Sequence, residues 1–389
     1  METGAADTAE PGSWRAIAAA IASMTAVGLS ISLGMPLLSL VLEDRGISPA
    51  MIGINSAVGG IASLLVPLAV PRLVSVTGTA RLALAALAAM AALFPLFYLV
   101  ADFWLWFPLR FAFYAAATVA FAVGEFWINA LAPHGRRGLA IGIYATVLSL
   151  GLAAGPAILG LVGSEGVAPF LIGTAIFCVG LIPMALARGQ APGGLTRPKT
   201  NVLTFLRIAP AAIFAVMAFG AVESGGLALL PLYGLELGYP ERTAALLVSA
   251  VALGNVVTQI PIGLLADRVE RRRLLLICAL VGVAGALAMP LAVDNLAVMF
   301  ALLFVWGGVT GGLYTVGLTH LGARFTGSDL AAANSAFVMM YAAGMLVGPA
   351  LIGLSLDLWP PQGFAFAVAF FFAAYAMLAG VRLVQARGT

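Results

Sequence analysis

"GLAAGPAILG", residues 151–160, and "GMLVGPALIG", residues 344–353, are one phrase written twice in the same chain, 193 positions apart. Each carries Gly-x-x-x-Gly-Pro inside a long apolar run: Gly151, Gly155 and Pro156 in the first, Gly344, Gly348 and Pro349 in the second. Small residues four apart let two helices approach closely, and an interior proline frees a carbonyl and bends the rod. The repeat continues toward the N-terminus. At an offset of 192, Gly28 meets Gly220, Ser32 meets Ser224, Gly34 meets Gly226, Leu37 meets Leu229, Gly46 meets Gly238, Arg81 meets Arg273 and Leu82 meets Leu274, with no gap. Glycine-rich composition alone does not put so many matches in order at one offset. The second half of the chain is therefore read as a copy of the first, and parallel copies with a seam between them are the architecture of an alternating-access carrier.

Composition says what surrounds those halves. Of 389 residues, 62% are hydrophobic and 9% charged, and the mean hydropathy is +1.08. A water-soluble domain with that apolar fraction would expose large sticky patches, whereas a surface facing lipid requires them. A bilayer-crossing helix needs about 20 mainly apolar residues. Twelve such runs can be marked, at 14–42, 49–71, 80–100, 103–131, 138–163, 167–187, 208–235, 243–265, 274–292, 296–320, 334–356 and 364–383. The expected fold is an all-α membrane protein with twelve transmembrane helices in two pseudo-symmetric six-helix bundles. Residues 14–187 and 208–383 form the bundles, 188–207 a basic Pro/Gly-rich linker, and 1–13 and 384–389 the tails.

An even number of crossings puts both tails on one side. If that side is the cytoplasm, 16 of the 19 Lys and Arg residues fall there, Arg45 and Arg242 fall outside, and Arg110 lies within a span. Under the positive-inside rule this bias orients the chain in the cell membrane with both termini cytoplasmic. Cys178 and Cys278 stand alone in separate apolar runs and suggest neither a disulfide framework nor a zinc site. His134 and His320, near the ends of the fourth and tenth runs, read as lone interfacial histidines rather than a metal pair. No metal, cofactor or nucleic-acid partner is implied, and the partners expected are the lipid bilayer, a small-molecule substrate and protons, with the chain acting as a monomer.

The loop after the eighth run reads "GLLADRVERRR", residues 263–273. With this motif in that place, the chain resembles the major facilitator superfamily over nearly its whole length. The resemblance implies that Gly263, Asp267, Arg268 and Arg271 belong to a cytoplasmic gate. Asp267 can sit against the positive end of a facing helix, and the arginines can bond helix-end carbonyls or acids; the alternative is a basic anchor. The matching first-half loop, "PRLVSVTGTAR", has Pro71, Ser75 and Val76 where the second half has Gly263, Asp267 and Arg268, so any latch is lopsided. Exporters of the family often carry the Gly-x-x-x-Gly-Pro phrase in the fifth span, which leans the reading toward efflux; plain helix packing explains it as well.

Three charges lie inside spans: Arg110 and Glu125 in the fourth, and Glu223 in the seventh. A charge at the bilayer centre costs roughly 2.5–3.5 kcal/mol even on lenient scales, so it normally faces a cavity or a partner. Arg110 matches the family's span-four arginine, which implies substrate binding or coupling; a tie to carbonyls or an acid on the first span is the other reading. Arg110 and Glu125 share a face about 60° wide but stand about 22 Å apart along the helix and cannot touch. Glu223 is 15 residues from the start of its run and 12 from the end, and its repeat mate is Ile31, so the repeat does not require an acid there. A carboxyl in such surroundings can take a proton on one side and release it when water or an opposite charge arrives. Proton coupling or cation binding is weighed against a hydrogen-bonded packing role for Glu223, and for Glu125 after it. Trp127, Asn129, Tyr233, Asn255, Gln259 and Tyr314 are candidate cavity liners.

No phosphate-binding Gly-x-x-x-x-Gly-Lys-Ser/Thr loop occurs, which disfavours ATP drive within the chain. No cluster of nucleophile, base or metal ligands suggests an enzyme, and the short tails do not suggest a receptor. The leading reading is a proton-driven secondary transporter of a small organic solute, working outward. An importer of a sugar or organic acid is the nearest alternative.

Overall fold

The computed structural model describes residues 14–132, 137–192, 204–325 and 327–385. The 1–13 tail, His134, most of the linker and the last residues of the C-terminal tail lie outside the described residues. Within them the chain is helical without strands, and twelve helices are long and apolar enough to cross a membrane. Spans 1 to 6 are Trp14–Asp44, Pro49–Leu68, Thr79–Leu99, Phe103–Leu131, Ile143–Val162 and Ala168–Leu186. Spans 7 to 12 are Pro210–Glu236, Glu241–Arg268, Arg271–Leu291, Leu296–Arg324, Ala332–Leu358 and Gly363–Leu383. Large apolar side chains such as Leu161, Leu186, Leu291 and Met377 stand exposed on them, as lipid-facing surfaces require.

The repeat is visible in the backbone. Gly46 and Gly238, partners at the 192 offset, both close the turn after a long helix in the left-handed region, at φ 75° and 80°, a conformation that glycine adopts without steric cost. Prolines make the main departures from the expected boundaries. Span 2 was expected to run to residue 71, but its α-helix stops at Leu65, followed by a 3-10 turn at Val66–Leu68 and a separate helix at Val70–Thr77. Pro67 and Pro71 remove two backbone donors there. The repeat-related span 8 runs unbroken from Glu241 to Arg268, carrying Pro261 inside it. Span 3 is similarly divided at Pro95.

Packing gathers the described residues into two units, one within Met1–Ile31, Leu65–Leu152 and Phe170–Arg197, the other within Ser32–Leu64, Ala153–Pro169 and Pro198–Thr389. The first has an aromatic core in which Phe94 meets Phe113, Phe170 and Phe177, each at 5.8 Å between ring centroids. Span 1 is tied to span 6 there by the Ser23 hydroxyl, which donates to the Gly180 carbonyl at 2.7 Å. The second unit is sewn by glycines. Gly53 and Gly60 on span 2 lie against Pro349 and Leu346 on span 11, and Gly160 lies against Leu246 on span 8. The Glu241 carboxylate at the start of span 8 accepts the Ser164 backbone N–H at 2.8 Å.

Candidate functional site

Span 7 opens with Pro210 at its first turn, where a missing N–H costs nothing. Ten residues on it becomes a chain of small side chains, and span 11 answers with its own. A Cβ at Gly344 would stand 2.7 Å from the Ala221 backbone nitrogen, and one at Gly348 would strike the Ala221 carbonyl. A Cβ at Gly220 would lie 2.9 Å from Cδ2 of Tyr341. The glycines thus bring the two backbones together and seat the Tyr341 ring over Gly220. Its phenol then reaches one turn along span 7 and donates to Oε2 of Glu223.

Rings enclose that pair. Phe219 lies 5.9 Å from Tyr314 and 6.4 Å from Tyr341 between centroids, and Tyr314 lies 6.2 Å from Tyr341 and 5.2 Å from Phe337. Phe219 and Phe337 are buried, whereas Glu223, Tyr314 and Tyr341 are only half-buried. Chemically this is a carboxyl held by a phenol at the edge of an aromatic cluster, on three helices of one unit.

The other unit holds a looser version. Glu125 on span 4 accepts the Tyr144 hydroxyl at 3.1 Å, and the Glu125 side chain is exposed. Asn129 folds its amide onto the Glu125 carbonyl at 2.9 Å, back along its own helix. Arg110 is fully buried, one turn from Tyr114. Arg110 and Glu125 therefore occupy unlike surroundings, although helical spacing alone puts them on one broad face.

The remaining sequence candidates divide between packing and surface. Trp127 and Tyr233 are fully buried, and Tyr233 stacks on Phe364 at 5.1 Å. Asn255 presses its amide against Gly311, while Gln259, one turn on, is half-buried. Gly151 lies against Thr25, whose carbonyl oxygen would be 3.0 Å from an added Cβ. Gly155 is buried, and Pro156 and Pro349 sit inside helices that continue past them. In the loop after span 8, Asp267 is exposed and its nearest basic partner is Arg271, at 3.8 Å one turn along. Arg268 is exposed too, and a Cβ at Gly263 would meet only Thr315, at an ordinary 3.9 Å. The structure thus shows no close packing that demands glycine at that position.

Sequence reasoning found Glu223 and Glu125 but missed their phenols, Tyr341 and Tyr144. A signal was present. Carrying the 193 offset through span 11 puts Tyr341 opposite Leu148, so the polar substitution at Glu223 has a companion polar substitution three residues before Gly344.

Comparison with known proteins follows the same outline. The sequence profile described as Major Facilitator Superfamily matches residues 19–245 and 212–388. The chain is 25% identical over 356 residues to the MFS-type transporter YfkF of Bacillus subtilis, covering 89% of this chain and 88% of that one. It is 24% identical over 263 residues to the MFS-type transporter YcaD of Escherichia fergusonii, covering 67% of each. Among solved structures, the nucleoside transporter NupG superposes with a TM-score of 0.74 at 13% identity, covering 95% of this chain and 99% of that one. A D-xylose-proton symporter gives 0.70 at 15% identity, covering 94% and 96%. Twelve spans, an internal repeat and a profile match over nearly the whole length agree: this chain belongs to the major facilitator superfamily and is a multi-pass membrane secondary transporter.

Proposed function

We propose that this transporter is proton-coupled, that it exports a small organic solute by alternating access, and that Glu223 is its coupling carboxyl. The observation that carries the reading is the Glu223–Tyr341 pair, half-buried near the middle of span 7 and opposed in the repeat by Ile31 and Leu148. A fold that needed only packing there has a worked apolar solution in its own first half. A carboxyl kept at that depth in spite of its cost is expected to do chemistry.

In the proposed cycle the two six-helix halves, 14–187 and 208–383, move so that this site is reached from each side of the membrane in turn, with both termini in the cytoplasm, as the arginine distribution supports. Asp267, Arg268 and Arg271 latch the cytoplasmic end in the outward-facing state, and the chain works as a monomer. Export is favoured over import by the Gly-x-x-x-Gly-Pro phrase of span 5.

The test is solute transport in proteoliposomes with and without an imposed pH gradient. Glu223→Gln keeps the hydrogen-bonding shape and removes ionisation. It is expected to abolish gradient-driven accumulation, while solute exchange at equal pH, which moves no net proton, persists at solute concentrations high enough to offset any weaker binding. Driven transport in that variant with an unchanged pH dependence would make Glu223 structural and pass the coupling role to Glu125.

A further inference from the structure

The surroundings of Glu223 specify more than a proton. The partner of Glu223 among the described residues is a phenol and not a basic side chain; the ion pairs Asp267–Arg271 and Glu270–Arg273 lie in the loop after span 8. Tyr341 engages Oε2 and leaves Oε1 to accept from something else. One turn along span 7 the wall is missing: a Cβ at Gly226 would meet nothing within 4 Å, whereas at the neighbouring Gly225 it would strike Ile352. Three residues apart on one helix, Glu223 and Gly226 share a side of span 7, and the half-buried rings of Tyr314 and Tyr341 cluster with buried Phe219 and Phe337 beside the carboxyl.

Each candidate ligand class can be set against that inventory. An anion is repelled by the carboxylate. A sugar needs several donors and acceptors, and the groups around Glu223 are mostly ring carbon. An inorganic cation wants a shell of oxygens, and here one carboxylate and two phenols are what the cluster supplies. A monovalent organic cation is satisfied by what remains: one carboxylate for its charge and aromatic faces for its apolar body, which attract a cation by cation–π interaction.

We infer that the cargo of this site is a lipophilic monovalent organic cation, an amine or onium compound, seated between Glu223 and the Phe219–Tyr314–Tyr341 rings with its apolar body over Gly226. The inference rests on the reading of Glu223 as a carboxyl that ionises during transport. Cargo and proton then claim the same oxygens in turn, and Tyr341 is a positioning residue that fixes which oxygen is offered.

The test uses the purified full-length protein in detergent at one fixed pH, with no gradient, and radiolabelled tetraphenylphosphonium as probe. Saturable binding is expected, displaced by unlabelled tetraphenylphosphonium but not by tetraphenylborate, which has the same shape and the opposite charge. Glu223→Gln is expected to weaken binding tenfold or more. Gly226→Leu, which fills the open side without touching the carboxyl, is expected to do the same and stands in should Glu223→Gln fail to elute as a monodisperse protein. Absence of saturable binding, equal binding by Glu223→Gln, or displacement by tetraphenylborate as effective as by the cation would overturn the inference. If cation binding fails while proton movement in proteoliposomes still depends on Glu223, the cargo class falls and the coupling role stands.

Discussion

Spans 1 and 5 cross in the first half of the chain as spans 7 and 11 cross in the second, and the two crossings use the same parts. Gly28 faces Leu148 where Gly220 faces Tyr341, and Gly151 faces the Thr25 carbonyl where Gly344 faces that of Met217. These pairs are related by the same offsets, 192 in the first helix and 193 in the second, so the repeat preserves the contact and not merely the composition. The chemistry is not preserved. At the first crossing the residues one turn on are Ile31 and Leu148; at the second they are Glu223 and Tyr341, joined by a hydrogen bond. Duplicated scaffolds teach that steric requirements and functional requirements can be separated by inspection: what both copies share holds the helices together, and what one copy alone carries is available for work.

The comparison breaks most severely at its steric half. Gly348→Leu would drive a side chain into the Ala221 backbone, which is part of the span 7 helix and not the yielding end of a side chain. Overpacking of this kind typically costs about 1–3 kcal/mol and more where backbone is struck. Loss of monodisperse protein in detergent is expected for Gly348→Leu, while Gly226→Ala, with open space around it, should elute as the parent does.

Next in size is a swap that turns the second crossing into the first. The double variant Glu223→Ile, Tyr341→Leu should fold with thermal stability equal to or above the parent's, because the apolar pair already used at the first crossing replaces a half-buried polar one. Gradient-driven transport should vanish. A double variant that still accumulates solute against a pH gradient would show that the polar pair is ornament on a packing contact.

Tyr341→Phe is a finer cut. It leaves the ring over Gly220 and deletes one hydrogen bond to a carboxyl, worth about 1.5–3 kcal/mol when the acceptor is charged. The expected outcome is transport with a displaced pH optimum and a modest fall in thermal stability, read by comparing pH profiles and melting curves of the two proteins. An unmoved profile would separate the phenol from the carboxyl's function.

The smallest effects belong to the loops. Asp267→Asn removes an exposed, 3.8 Å ion pair with Arg271, a contact of a kind worth about 0–1 kcal/mol, so thermal stability should hardly change. Cysteine cross-linking across the cytoplasmic seam should nonetheless fall in this variant if the loop latches that end. Ser75→Ala should leave it unchanged, since the Ser75 hydroxyl only caps the Arg72 carbonyl at 2.7 Å within its own short helix.

Much of this was legible in the sequence. Hydropathy places the twelve spans to within a few residues because a bilayer imposes a minimum length and forbids bare backbone. Boundaries slipped at Pro67, Pro71 and Pro95, where local chain chemistry ended a helix that the apolar pattern carried onward. Glu223 could be picked out because lipid makes a lone acid conspicuous. Tyr341 could not, because a tyrosine in an apolar run is unremarkable until the crossing brings it to a carboxyl 118 positions away. Trp127 and Tyr233 stood out for their polar tips, yet burial is settled by which way a helix faces, and nearly uniform hydrophobicity around these helices leaves no stripe to read it from.

Infrared difference spectroscopy of the reconstituted protein tests most directly whether the second crossing holds the working carboxyl. The protonated-carboxyl stretch should change when an organic cation such as tetraphenylphosphonium is perfused over the film at constant pH. The account predicts that this band is absent from the difference spectrum of Glu223→Gln and retained in that of Glu125→Gln. A band that survives in Glu223→Gln and disappears in Glu125→Gln would contradict it, and would place the proton in the first half of the chain.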